Sequence, residues 1–303
     1  MKRGVILLAA ALLLGGGATG YTLRPGREPA TAGQTGQAGL DLGVPGRLLV
    51  RDTVTGLVRG SRTRCERFHA AAGTGVCLVT ELGAVPTTYA VLLDRAMRET
   101  RRIRLAGIPS RARVSASGRM ISWTVFVTGD SYDSGGFSTR TGLLDARTGR
   151  VTVTIEDIPL VKDGRRYYAP DVNYWGVTFA PDDNRFYATV STKGRTYLVE
   201  GDYAAWRARV VRENAECPSL SPDGRTLVYK KRTPSGAWRL HALDLAAQRE
   251  TPLAETADVD DQAAWLDRNT VMYAKGKDVW AVPADGTGTP RLLAANASSP
   301  AIT

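Results

Sequence analysis

The sequence predicts an all-β protein arranged as a β-propeller, and three observations lead there. A hairpin motif recurs at intervals near forty-five residues, each copy is followed by a second hairpin, and no ten-residue helical pattern separates the strands. The clearest copy is "CPSLSPDGRTLVYKKR" at 217–232. Pro222 presets φ for a tight turn, Asp223 can bond its own backbone, and Gly224 tolerates positive φ. The flanking segments are short and rich in apolar and β-branched residues, as paired strands are.

The other copies follow the same grammar. In "QAAWLDRNTVMYAKG" the run Thr270-Val271-Met272-Tyr273 superposes on Thr226-Leu227-Val228-Tyr229, forty-four residues earlier. "GVTFAPDDNRFYATV" turns at Pro181-Asp182-Asp183, "RVSASGRMISWTVF" at Ser117-Gly118, and "RFHAAAGTGVCLV" near Ala72-Gly73. After each comes an outer hairpin whose first strand ends in or near Asp, as in "GLLDARTGRVTVTI" and "LHALDLAAQRETPLA". A sixth outer hairpin, "GRLLVRDTVTGLVRG" at 46–60, stands without an inner partner.

Two hairpins per repeat make four strands, which is the propeller unit. One small sheet cannot bury both faces, so repeats stack radially and cover each other. The expected repeats are 61–107, 108–169, 170–214, 215–257 and 258–297, with 46–60 and 298–303 joining in a composite sixth blade that closes the ring. A β-sandwich is the competing arrangement of the same strands.

Asp-Gly hairpins of the form "SLSPDGRTLVY", each opening a four-stranded repeat, resemble the TolB-like propeller family, whose repeats are WD-repeat-like. "SPDG" stands in one repeat, and "APDD", "SASG" and "WLDR" are degenerate forms. The resemblance covers residues 46–303 and implies an exported propeller that binds something, usually protein. TolB itself carries a separate N-terminal domain. Residues 24–45 are too few to hold one, so the resemblance does not extend to a Tol–Pal role.

Residues 1–23 have the grammar of an export signal: Lys2 and Arg3, then an apolar run over Val5–Leu14, then the small residues Ala18-Thr19-Gly20. Gly4–Leu23 is also an uncharged stretch of about 30 Å as helix, enough to span a bilayer. A cleaved signal peptide and a retained membrane anchor through residues 4–23 are both open. Either places the remainder outside the cytoplasm. Residues 24–45, rich in Gly, Thr, Gln and Pro, read as a flexible linker.

Cysteine usage agrees with export. Cys65 and Cys77 lie on the two arms of the first inner hairpin, and antiparallel pairing about residue 71 or 72 brings them within bridging distance. A disulfide is expected, with two free thiols the alternative. Cys217 has no obvious partner and reads as a small buried side chain.

The sequence is poor in catalytic signals. His69 and His241 are its two histidines, and no zinc, phosphate-loop or nucleophile-elbow motif is present. "GDSYDSGG" at 129–136 reads as a Gly/Ser loop, and "ADVDDQ" at 257–262 as solvated turn residues. No catalytic residue, cofactor or metal is assigned.

What the repeat does predict is convergence. Residues leading into the innermost strands must ring the mouth of the central channel, which gathers Arg113, Asn173, Tyr174, Glu216, Asp260 and Asp261 as the candidate binding set. Of the two rings in "DVNYWG", Tyr174 is expected at the mouth and Trp175 in the core.

The formal charge is +10, and residues 59–113 hold eleven Arg against four acids. Arg on an outer edge strand prevents edge-to-edge pairing. Attraction to anionic lipids or wall polymers is the functional alternative. Nucleic acid is not expected outside the cytoplasm.

The expected function is therefore a non-catalytic, monomeric, extracytoplasmic propeller binding an envelope protein. The alternatives are a small-molecule, glycan or wall-polymer binder, and a lyase or hydrolase dependent on Glu216, Asp260, Asp261 and a metal.

Overall fold

The structure is a computed structural model and describes residues 39–128 and 137–303. The expected export leader, most of the expected linker and the loop "GDSYDSGG" lie outside the described residues. Among the described residues no helix is long and apolar enough to cross a membrane. Residues 39–303 form one compact unit.

The predicted hairpins appear as antiparallel sheets. The first holds β2 (Arg67–Ala71), β3 (Thr74–Glu81), β4 (Thr87–Leu93) and β5 (Glu99–Leu105) in sequence order. The second holds β6 (Ile108–Val114), β7 (Met120–Thr128), β8 (Phe137–Asp145) and β9 (Arg150–Thr152). Two further sheets repeat the pattern. One holds β16 (Glu216–Leu220), β17 (Thr226–Arg232), β18 (Trp238–Asp244) and β19 (Glu250–Pro252). The other holds β20 (Ala264–Trp265), β21 (Thr270–Lys275), β22 (Asp278–Pro283) and β23 (Arg291–Ala294). The outer strands are the least buried. Every residue of β16 is buried, whereas β5 is mostly exposed.

The third sheet is larger than its repeat. To β12 (Asn173–Phe179), β13 (Arg185–Thr192), β14 (Arg195–Asp202) and β15 (Arg207–Glu213) it adds β10 (Leu160–Lys162) and β11 (Arg165–Tyr167). β10 runs parallel to the outer strand β15. The extra length of the second repeat therefore forms the outer edge of the third sheet. Burial explains it: Ile155, Ile158 and Leu160 are at most 3% exposed and pack with the core of that sheet.

Ring closure corrects the expectation of six blades. The described residues form five sheets of four strands or more, and the remaining position is filled by a two-stranded pair of β1 (Leu48–Asp52) with β24 (Ala297–Ile302). Beyond β1 the chain turns where Asp52 accepts hydrogen bonds from the amides of Val54 and Thr55. Its backbone then pairs through the isolated bridges Arg51↔Val58 and Leu57↔Arg64. Gly56 and Gly60 sit at positive φ between these bridges, so no ladder continues.

The hydrophobic core is a ring of clusters between neighbouring sheets. Val76 and Leu78 meet Ile121 and Trp123 between the first and second sheets. Met120 and Leu143 meet Tyr174 and Phe186 between the second and third. Leu40 and Leu42, read from sequence as linker, are 4% and 0% exposed in the cluster between the closing pair and the first blade. Their backbone is held as well, for Leu42 N–H donates to Arg95 O at 2.8 Å. Between the two leucines, Asp41 accepts hydrogen bonds from Arg95 Nε and Nη2 at 2.7 and 3.0 Å.

Cys65 and Cys77 are bonded, with Cα atoms 5.3 Å apart. The hairpin register places Phe68, not Cys65, opposite Cys77, because the turn centres at Ala72-Gly73. Cys65 instead reaches over from just before β2. Cys217 is a buried free thiol. The Arg-rich strand β5 is the outer edge of its blade, and Arg98 lies in the preceding turn paired to Asp94. It does not share a strand face with Arg102 and Arg104.

Candidate functional site

Three innermost strands carry a β-bulge at the same level: β6 between Pro109 and Arg111, β12 between Trp175 and Thr178, β16 between Glu216 and Ser219. A bulge re-aims the side chains beside it. Here it turns polar groups from neighbouring blades onto one another. The strands also approach closely, since a Cβ on Gly176 would lie 2.9 Å from the Cα of Cys217. Gly176 and Cys217 both adopt positive φ, 64° and 51°.

Above the bulges lies a pocket of about 290 Å³ whose lining includes Arg111, Phe126, Asp171, Trp175, Glu216, Lys230 and Asp260. Hydroxyls of Ser110, Ser138, Thr139 and Ser191 complete the wall. Asn173 braces it across two blades. Its Oδ1 accepts Ser138 Oγ at 2.6 Å and the Thr139 amide at 3.1 Å, while its Nδ2 donates to Asp171 O at 3.0 Å. The Asp171 carboxylate accepts Thr192 Oγ1 at 2.8 Å and the Lys193 amide at 2.6 Å.

The floor is ionic. Lys230, with a side chain only 3% exposed, donates to Asp260, whose own side chain is 68% exposed. The Lys230 ammonium also lies 4.5 Å from the centre of the Trp238 ring. Arg111 Nη1 stands 3.6 Å from Asp261 Oδ1. Glu216 is 8% exposed, and burial pushes its carboxyl pKa up, opposed by the nearby Lys230 charge and the Thr196 hydroxyl.

Below this floor the channel is plugged. Gln262 Nε2 donates to Pro218 O at 2.7 Å, Gly176 O at 3.1 Å and Val177 O at 3.2 Å. Arg113 Nη2 donates to Ala263 O at 2.9 Å, and Trp265 Nε1 to Ser219 O at 3.1 Å. These bonds join strands from different blades across the centre of the ring. Burial pushes the Arg113 guanidinium down to about 10, with Asp261 opposing the shift. His69, 3.1 Å from Arg113 Nη1, is held neutral by burial and then by that cation.

Of the six residues expected at the mouth, Asn173, Glu216 and Asp260 line the pocket. Asp261 reaches it only through Arg111. Arg113 belongs to the plug. Tyr174 is a correction: it is 0% exposed in the core between the second and third sheets, and Trp175 takes the pocket wall. Successive strand residues point to opposite faces, so one ring had to go each way.

Sequence reading missed Arg111, Lys230 and Asp171. Arg111 was legible by alternation, two residues from Arg113 on one strand. Lys230 had no local signal. The acids do not act as a set, since an Asp260 oxygen is engaged by Lys230 and Asp261 faces Arg111. Among the described residues no three His, Cys, Asp or Glu side chains converge to hold a metal.

No protein-family model matches the sequence, and no curated protein does. Solved structures do match. TolB from Acinetobacter baumannii aligns with TM-score 0.55 at 15% identity, covering 84% of this chain and 65% of that one. A chain from the nidogen/laminin complex aligns with TM-score 0.53 at 13% identity, covering 84% and 97%. A Mycobacterium tuberculosis puromycin-hydrolyzing peptidase aligns with TM-score 0.50 at 14% identity, covering 79% of this chain and 41% of its own. This chain thus spans less than two thirds of the TolB and peptidase chains. At such identities the likeness is one of fold. In fold, the chain is a β-propeller, similar to that of TolB.

Proposed function

We propose that this protein is a non-catalytic binding propeller that works outside the cytoplasm at the cell envelope and engages a protein partner at the mouth pocket. The observation that carries this reading is the mouth pocket itself. Its aromatic walls, Trp175 and Phe126, stand beside braced polar groups, and the apolar rim continues outward through Ile108, 58% exposed, and Phe126, 39% exposed. Polar groups fixed beside exposed apolar side chains are the usual composition of a recognition surface. The protein acts as a monomer in this reading. Its leader delivers it across the membrane and is then either cleaved or kept as an anchor. The bonded Cys65–Cys77 pair supports an oxidising compartment.

A second reading, a small polar molecule, glycan or wall polymer at the same mouth, is favoured by the pocket's volume and its row of hydroxyls. One experiment addresses both. Proximity crosslinking from a photoreactive residue placed at Ile108, in cells expressing the native protein, should give a discrete protein adduct that disappears in Trp175→Ala. Adducts to glycan alone would favour the second reading. N-terminal sequencing of the mature protein in membrane and released fractions decides the fate of the leader.

A further inference from the structure

We propose that the central channel, below the floor of the mouth pocket, holds a small inorganic anion of the size of chloride between Arg67 and Arg113. This site is separate from the protein-binding reading above and stands or falls independently of it.

A cavity of about 30 Å³ lies there among β2, β6 and β24, with room for one small ion or about two waters. Its charged lining is Arg67, Arg111, Arg113 and Asp261, three cations against one acid. Asp261 is taken by Arg111, at 3.6 Å. Arg67 and Arg113 are met instead by neutral acceptors, the Ser110 and Ala263 carbonyls at 2.6 and 2.9 Å. The charges one layer further out cancel, since Arg51, Arg64, Lys230 and Arg232 are set against Asp52, Glu66, Asp260 and Glu216. Beyond Arg113 and His69 the channel widens to about 130 Å³, and among the described residues lining that part these two are the ones that titrate. The interior thus carries a surplus of two positive charges, which hydrogen-bonded water does not neutralise.

Hydrogen bonding shows the same shortage of acceptors. Arg113 is 8% exposed, and its Nε is buried without a partner, as is the Nε of Arg111. His69 is neutral, so one of its nitrogens accepts and the other donates. Both nonetheless face donors, Nδ1 the Val114 amide at 3.2 Å and Nε2 the Arg113 Nη1 at 3.1 Å. One of those meetings sets donor against donor. An anion between Arg67 and Arg113 supplies the missing acceptor, and a shift of the Arg113 guanidinium toward it removes the conflict with His69. The Arg113 pKa, pushed down to about 10 by burial, marks a cation whose lost hydration is not fully replaced. A tetrahedral oxyanion needs more room than this cavity has, which leaves a halide-sized ion.

The test is thermal melting of the full chain in non-ionic detergent, with sodium chloride exchanged for sodium gluconate at constant ionic strength, alongside chloride NMR line widths. The melting temperature should rise with chloride along a saturable curve, by roughly 5–10 °C at a hundredfold excess over Kd. The protein should broaden the chloride line, and bromide should narrow it again where sulfate does not. Arg113→Gln should weaken chloride binding at least tenfold. If that variant fails to fold, the half-buried Arg67 serves, and Arg67→Gln should weaken it at least fivefold. Cys217, a buried free thiol near Arg111, Arg113 and Lys230, is the alternative counter-charge, so Cys217→Ser should leave chloride binding unchanged. Identical chloride and gluconate curves without line broadening would overturn the proposal. Wild-type chloride affinity in Arg67→Gln, or displacement by sulfate as effective as by bromide, would do the same. So would chloride binding that appears only in Cys217→Ser, because the thiolate would then be supplying the charge.

Discussion

Tyr174 and Trp175 are adjacent in sequence and lie in opposite environments, so truncating each should give opposite phenotypes. Tyr174 is fully buried among side chains that include Met120, Leu143, Phe186 and Val190. Removing such a ring leaves a cavity between two blades, and Tyr174→Ala should cost about 3–5 kcal/mol. At about 2–4 °C per kcal/mol for a domain of this size, the melting temperature should fall by roughly 6–20 °C. Tyr174→Phe separates packing from polarity. The phenol oxygen is buried without a hydrogen-bond partner, so its removal should be neutral or stabilising by up to about 1 kcal/mol. Trp175, half-buried on the pocket wall, should lose only about 1–2 kcal/mol on truncation to Ala while losing partner capture. Calorimetry and urea denaturation on the three variants, alongside crosslinking yield, give the comparison. A Tyr174→Ala protein that melts like wild type would refute the packing argument. So would a Trp175→Ala protein that binds normally but unfolds early.

Leu42→Ala should destabilise the protein by about 2–5 kcal/mol although it lies in a segment with the composition of a linker, because its side chain is fully buried between the closing pair and the first blade; urea unfolding measures it. Replacing Cys65 and Cys77 together by Ala should cost about 2–3 kcal/mol from the lost loop constraint, and adding reductant to that variant should change nothing further. Asp145 receives two hydrogen bonds from Arg119, at 2.9 and 2.6 Å, and that pairing holds its carboxyl well below 3.8. A depressed folded pKa contributes stability that is present above the unfolded value and lost as pH falls toward the folded one. Melting temperatures from pH 5 to pH 2 should therefore drop more steeply in wild type than in Asp145→Asn, and parallel slopes would count against the pair. Gly224→Ala should cost about 1 kcal/mol, since φ there is 71°; a chemical-denaturation midpoint suffices to check it.

The hairpins, their order and the boundaries of most repeats were legible because they rest on local chemistry. Pro-Asp-Gly turns and period-two alternation act over a few residues, and the recurrence of Thr226–Tyr229 in Thr270–Tyr273 needs no tertiary contact to be seen. The convergence of residues ahead of the inner strands followed from the repeat alone, which is why Asn173, Glu216 and Asp260 were found. Burial of Leu40 and Leu42, by contrast, depends on a surface built by residues on two blades. The two-stranded closure depends on where the ladder beyond Asp52 gives out. The side of β12 on which each ring falls depends on packing against the second sheet, and the aim of the pocket groups on bulges in three separate strands. The pocket's bonds join residues far apart in the chain: Ser138 with Asn173, Lys230 with Asp260, Arg113 with Ala263. Such pairs carry no mark in their own neighbourhoods. An acid and a base thirty residues apart read as two solvated charges until the blades bring them together and bury the base.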